Sequence, residues 1–410
     1  MHKFVFPFSW GGHVQMAIIN GTPDDDTLIG TSDPDTLNGL GGNDTLRGGA
    51  GGDILSGGDG SDTADYQGSS AEVFISLPGN LFFGGDATGD QLSSIENVIG
   101  SSFDDSLAGG AGSNIFRGGD GRDLLQAYAG DDSLFGDAGD DTVDGGNGSD
   151  QLFGGAGKDL MFGDDGVDLL DDGADSIDGG ADDDEIWGHG GNDTLVGGTG
   201  NDVIKGNEDN DVLRGGAGAD KLDGGTGSDT ASYYTSGTGM LVSLATGLGS
   251  GGEAQGDTLT GIENVSGSQA GDSLYGNADA NVLQGWNGND VLVGRAGKDT
   301  LTGGAGADRF VYVATTESMV GANADRIADF SHAQGDRVDL AGIDANTTVG
   351  GDQAFSFIGS GLYTGVAGQL RFAVAGGVTT VAGDVNGDGV SDFHIQLTGA
   401  IGLVAGDFVL

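Results

Sequence analysis

The stretch Gly39-Leu40-Gly41-Gly42-Asn43-Asp44-Thr45-Leu46-Arg47-Gly48-Gly49-Ala50-Gly51-Gly52-Asp53-Ile54-Leu55-Ser56-Gly57 decides the fold. Gly39, Gly48 and Gly57 open successive nine-residue units, with Asp44 and Asp53 at position 6 and Leu46 and Leu55 at position 8. The unit reads G-G-x-G-x-D-x-L-x. Its x-L-x part is a short strand with one apolar side chain pointing inward. Its G-G-x-G-x-D part is a tight turn whose glycines bring carbonyls close together, with a carboxylate added. Calcium takes about six to eight such oxygens, more than one loop supplies but within reach of two stacked loops.

Working outward, the frame holds over 21–65, 100–232 and 267–311, with a slip of two residues near 172–178. Of 24 units, 22 carry Asp at position 6 and two carry Asn, Asn114 and Asn281. Asp24, Asp33, Phe103, Asp182 and Ala270 replace the position-4 glycine near the array starts. Terminal repeats of a solenoid are atypical because they cap it, so ions are expected to be weak or absent there. The slip is expected to kink or break the stack.

Composition agrees. Of 410 residues 88 are Gly, and 64 Asp+Glu against 14 Lys+Arg leave a formal charge of −50. Such a chain does not bind nucleic acid, which needs a basic surface. Zero Cys excludes disulfides and thiolate sites. No apolar run reaches the roughly 18 residues of a membrane span.

Segments 66–99 and 233–266 are copies of one spacer. Ile75-Ser76-Leu77 matches Val242-Ser243-Leu244, and Ile95-Glu96-Asn97-Val98 matches Ile262-Glu263-Asn264-Val265. Glu96 and Glu263 are expected to be structural, packing the end of a stack.

After about residue 309 apolar alternation appears. Leu370–Val374 and Val378–Val381 flank Gly376-Gly377, a hairpin signal. Asp384, Asn386, Asp388 and Asp392 then place oxygens at spacings like those of an EF-hand loop, but Ile395 stands where that motif has Glu. Calcium binding there competes with a plain Asx-rich turn.

The nonapeptide and its calcium binding are the signature of RTX (hemolysin-type) proteins, which this chain resembles. The resemblance implies an all-β fold: right-handed parallel β-roll segments with two nonapeptides per coil, and a C-terminal β-sandwich-like cap. It implies an ion shared between loops n and n+2. That pairs Asp44 with Asp62, Asp132 with Asp150, Asp141 with Asp159 and Asp150 with Asp168. It also pairs Asp193 with Asp211, Asp202 with Asp220, Asp211 with Asp229 and Asp290 with Asp308. Asp53 and Asp299 complete the expected repeat ligands. The alternative, that these residues only form turns, leaves their mutual repulsion uncompensated.

Residues 303–410 resemble the C-terminal domain of serralysin-type metalloproteases through Asp325–Phe330, Gly335–Leu340, Ala367–Leu370 and Gly383–Phe393. Asp407-Phe408-Val409-Leu410 looks like that family's uncleaved type I secretion signal, against an ordinary apolar final strand. Met1–Gln15 lacks the apolar core of a cleavable signal. The expected organisation is an extension over 1–20, repeat arrays at 21–65, 100–232 and 267–311, spacers at 66–99 and 233–266, and the serralysin-like region at 312–410.

The five His include no H-E-x-x-H pair, and no G-x-S-x-G occurs, so no catalytic residue is expected. His189, at position 2 of a repeat, is expected to face solvent. The expected function is a secreted calcium-binding protein that folds on ion binding outside the cell. Its expected partners are the type I secretion apparatus and a matrix or cell-surface component, with no nucleic acid and no membrane span. The alternative is a non-catalytic remnant or accessory of a serralysin-type protease or other secreted hydrolase.

Overall fold

One apolar residue in nine suffices for a strand here because each strand is backed by another 18 residues away. The computed structural model describes residues 4–5, 16–164 and 173–410. In it, Thr27–Ile29, Thr45–Arg47 and Thr63–Asp65 pair in parallel, Leu28 against Leu46 and Leu46 against Ala64. These central side chains are fully buried, while their neighbours other than Asp65 stay partly in water. Alternate units feed a different sheet: Thr36–Gly41 pairs with Ile54–Asp59, Leu37 against Leu55. The chain is therefore all-β, a parallel β-roll. Among the described residues the helical segments are three-residue 3-10 turns, and no helix is long and apolar enough to cross a membrane.

The chain divides into two compact units, Met1–Val212 and Leu213–Leu410. In the first unit, the first spacer ends one sheet and begins another. Gln91–Ser93 closes the four-stranded sheet against Ile54–Asp59. The antiparallel hairpin Phe74–Ser76 and Leu81–Phe83 opens a new sheet that continues at Ser106–Ala108. Asn97–Ile99 carries the remaining sheet onward from Thr63–Asp65 to Ile115–Asp120.

Strand pairing continues across the frame slip in this unit. Gln151–Ala156 pairs with Ser176–Ala181, and Leu160–Phe162 with Glu185–His189, both 25 residues on. The step holds seven residues more than an ordinary coil, so the slip of two residues in the frame is an insertion of seven.

In the second unit the second spacer repeats the pairings of the first. Leu222 lies against Leu259, Ala231 against Val265 and Val242 against Leu274. Beyond the repeats, Arg309–Val311 pairs with Arg337–Asp339, which pairs with Phe408–Val409. Gln369–Ala375, Val378–Asp384 and Phe393–Thr398 form an antiparallel meander. Its first turn is the expected Gly376-Gly377, both at positive φ.

Candidate calcium sites

The position-6 carboxylates stand in buried ladders. Inside the arrays each described rung accepts at Oδ1 the backbone N–H of the Asp or Asn one coil earlier, while Asp35, Asp105 and Asp272 take those of Ala17, Val73 and Met240. Asp26 donates to Asp44 at 2.8 Å, Asp44 to Asp62 at 2.8 Å, Asp123 to Asp141 at 2.8 Å and Asp141 to Asp159 at 2.9 Å. The expected pairs Asp132–Asp150, Asp193–Asp211 and Asp290–Asp308 are joined in the same way, as are Asn281–Asp299 and Asp35–Asp53.

The second oxygen decides the chemistry. Oδ2 of Asp44, Asp53, Asp62, Asp123, Asp132, Asp141, Asp150, Asp159, Asp184, Asp193, Asp290, Asp299 and Asp308 is buried with no hydrogen-bond partner. A buried unpaired carboxylate oxygen is costly. Each points into a backbone cradle. A methyl group on Gly136 would collide with Asp141 Oδ2 and lie 2.6 Å from the Gly154 carbonyl oxygen, and Gly154 stands in the same relation to Asp159 and Gly179. At these glycines one carboxylate oxygen and a carbonyl from the next coil thus converge on the gap. Among the described residues no three His, Cys, Asp or Glu side chains cluster, and the donors that meet at these glycines are a carboxylate oxygen and backbone carbonyls. That donor set is all oxygen and mostly neutral, which fits calcium.

Without a cation the carboxyls resist ionising. Burial first, then neighbouring carboxylates, push Asp123, Asp141, Asp150 and Asp290 up to about 7 and Asp193 to about 8, against the pull of the backbone N–H. Asp44 and Asp62 are raised by burial as well.

Position 2 of the repeat sets whether Oδ2 is left unpaired. Leu40, Tyr128, Asp137, His189, Trp286 and Arg295 occupy it at φ between 69° and 84°, and the Asp four residues on keeps an unpaired Oδ2. Where Ser or Thr stands there without positive φ, its N–H turns onto the carboxylate: Thr31 on Asp35 at 2.7 Å, Ser268 on Asp272 at 2.6 Å, and Ser101 on Asp105. Thr22 does the same to Asp26 at 2.5 Å. These are the first units of the three arrays and the second unit of the first, and their carboxylates are satisfied by the protein itself. Asp182, also expected to mark a degraded unit, takes the left-handed conformation at φ 78° in place of glycine. Asp184 beside it has an unpaired Oδ2 like an interior unit.

Other expected residues have varied placements. Asp168 lies outside the described residues, and the partner expected for it takes another. Asp150 donates to Asp175 Oδ1 at 2.8 Å, 25 residues on, and Asp175 fills the cradle of Gly163. Asp202, Asp211, Asp220 and Asp229 are buried in their own units. The Asp384 loop closes on itself. Asp384 accepts N–H groups of Gly387 at 2.6 Å and Gly389 at 2.9 Å, and Asp392 accepts those of Val385 at 2.7 Å and Asn386 Nδ2 at 3.1 Å. Asp388 holds the Val390 N–H at 2.8 Å, and Asn386 Oδ1 that of Asp388 at 2.8 Å. A cation in that loop would have to displace these donors. His189 stacks with Phe162 and Trp187.

Glu96 and Glu263 are structural: their Oε2 atoms accept the N–H of Asp62 and Asp229, both at 2.9 Å. Asp90 and Asp257, passed over in the sequence because they lie in the spacers, are ladder members too. They accept N–H from Asp53 at 2.7 Å and Asp220 at 3.0 Å.

The model of the RTX calcium-binding nonapeptide repeat matches residues 20–64 and 93–231 in overlapping copies, and that of the peptidase M10 serralysin C-terminal region matches 262–410. Over 140 residues, 34% of the chain, the sequence is 43% identical to the metallopeptidase AprA of Pseudomonas marginalis. The chain spans 27% of that relative's length. A solved structure, the AlgE6R3 subunit of the Azotobacter vinelandii mannuronan C5-epimerase, is 32% identical over 36% of this chain and 76% of its own, with a TM-score of 0.27.

Proposed function

For a chain that belongs to the RTX calcium-binding nonapeptide-repeat proteins and carries a serralysin-type C-terminal domain, we propose the function of a secreted protein that folds on binding calcium outside the cell and then serves a structural or interaction role. The repeats bind multiple calcium ions. The observation that carries the reading is the ladder of buried carboxylates whose second oxygens lack any donor. In a chain of net charge −50, a ladder without cations is opposed by desolvation and by like-charge repulsion. One Leu-sized residue per nine offsets little of the chain entropy. Extracellular calcium modules bind at about 10⁻⁴–10⁻³ M, so the chain stays unfolded at cytosolic calcium and folds where the ion is abundant. Export through a type I apparatus agrees with the serralysin-type region at 262–410.

A calcium titration followed by far-ultraviolet circular dichroism tests the reading. The expected result is a largely unfolded chain in excess chelator and a β-rich one at millimolar calcium. A native β signal in chelator would refute it. A second reading, a non-catalytic remnant or accessory of a serralysin-type protease, draws on the 43% identity to a metallopeptidase. Zinc analysis and a casein assay on the calcium-loaded protein separate the two.

A further inference from the structure

We propose that the rungs at Asp90 and Asp257 are closed to calcium because the Tyr66 and Tyr233 hydroxyls stand where the ion would otherwise bind. Each spacer thereby divides the ion ladders into separate blocks. The inference rests on the calcium reading of the repeats.

Asp90 and Asp257 are placed like the interior repeat carboxylates. Both are buried, at 6% and 0% exposure, and both take at Oδ1 the N–H of the preceding ladder Asp. They differ at Oδ2. There Tyr66 donates its hydroxyl to Asp90 at 3.0 Å, and Tyr233 donates to Asp257 at 3.0 Å. Both phenols are buried, at 2% and 0% exposure. Each tyrosine follows the last position-6 Asp of its array, Asp62 or Asp229, by four residues, and both spacers place it identically. A buried phenol needs a polar partner, and a buried carboxylate needs a donor or a cation. The pair meets both needs without metal.

The neighbouring ladder is bridged in the same spacers, again by protein groups. Glu96 takes the Asp62 N–H, and the Glu96 carbonyl accepts Asn114 Nδ2 at 2.5 Å. Glu263 takes the Asp229 N–H, and its carbonyl accepts Asn281 Nδ2 at 2.8 Å. This explains why Asn replaces Asp at these two of the 24 units. A carboxylate there would face a carbonyl oxygen with no donor between them, and only the amide brings one. Asn114 and Asn281 also hold N–H groups of Gly110 at 3.0 Å and Asn277 at 2.8 Å. Both ladders therefore pass through the spacer on hydrogen bonds from the protein.

The test counts bound calcium on the full chain by equilibrium dialysis and elemental analysis at saturating calcium. Asp90→Asn and Asp257→Asn should leave the count unchanged, since the amide can donate to the phenol oxygen. Asp123→Asn, whose Oδ2 is unpaired, should lose about one to two ions. Tyr66→Phe, which takes the hydroxyl away from Asp90 Oδ2, should open that rung and gain about one ion at saturating calcium. Loss of ions from Asp90→Asn or Asp257→Asn, or no gain in Tyr66→Phe, with Asp123→Asn losing ions, would overturn the closed rungs alone. An unchanged count in Asp123→Asn would instead overturn the calcium reading beneath them.

Discussion

Replacing Asp141 by Asn isolates the oxygen that matters. The amide oxygen still accepts the Asp123 N–H, now at 2.8 Å, and the backbone of residue 141 still donates to Asp159 and accepts from Leu160, both at 2.9 Å. Only the unpaired Oδ2 changes, into an NH₂ that faces the Gly154 carbonyl. The fold keeps its hydrogen bonds while the gap loses a charged ligand. Removing one member of a buried ionic contact costs about 3–5 kcal/mol. That is roughly two to almost four decades of affinity. Starting from about 10⁻⁴–10⁻³ M, such a site stays empty at millimolar calcium. Asp35→Asn is the matched control. Asp35 Oδ2 already receives the Thr31 N–H at 2.7 Å and its hydroxyl at 2.8 Å, so the change should cost about 1–3 kcal/mol of stability and no ion. The assay is calcium per chain with a thermal melt on the same sample. Equal ion losses from the two variants, or a full complement in Asp141→Asn, would refute the reasoning.

Gly139→Ala should raise the calcium needed for half-folding. The position has φ 141° and its Cβ would overlap the Gly121 carbonyl, a strain of about 1–3 kcal/mol before the clash. Gly110→Ala, with nothing near its Cβ, should shift that titration little. Acidification should help the cation-free fold. Folded carboxyls raised by burial to about 7 at Asp123, Asp141 and Asp150 bind more protons than the unfolded chain does above about pH 4. Stability in chelator therefore rises as pH falls from about 7 toward about 4, and is lost as pH rises through that window. Circular dichroism in chelator should gain β signal on acidification, and a flat or falling signal would count against the buried-carboxyl account.

The nine-residue frame was enough to place the short strands and the position-6 carboxylates, because both depend only on spacing, whereas the two-sheet alternation and the pairing of loops n and n+2 were implied by the resemblance to RTX repeats. The insertion near 172 was misread because seven added residues and two deleted ones give the same phase in a nine-residue frame. Sequence alone put the next ladder carboxylate at Asp168, where pairing puts Asp175. The capping of Asp35, Asp105 and Asp272 had a readable signal, Ser or Thr in place of the second position of the repeat. Its meaning lies in a backbone angle that composition does not reveal. The tyrosine contacts had no such signal: Tyr66 and Asp90 are 24 residues apart, off the frame, and only folding the spacer brings them together.

The 18-residue pairing step has a kinetic consequence. Most strand pairings of the roll span 18 residues, roughly 0.04 of the chain length, whereas helical bundles average about 0.07–0.12 and β-sandwiches more. Loop-closure entropy is then a small, repeated cost rather than one large barrier. A coil can zip onto the one before it without a search across the polypeptide, even while distant parts of the chain are still elsewhere. Although built of sheet, the roll has the local topology of a fast folder, and under the proposed folding on calcium its pace would be set by the supply of ions rather than by finding distant partners.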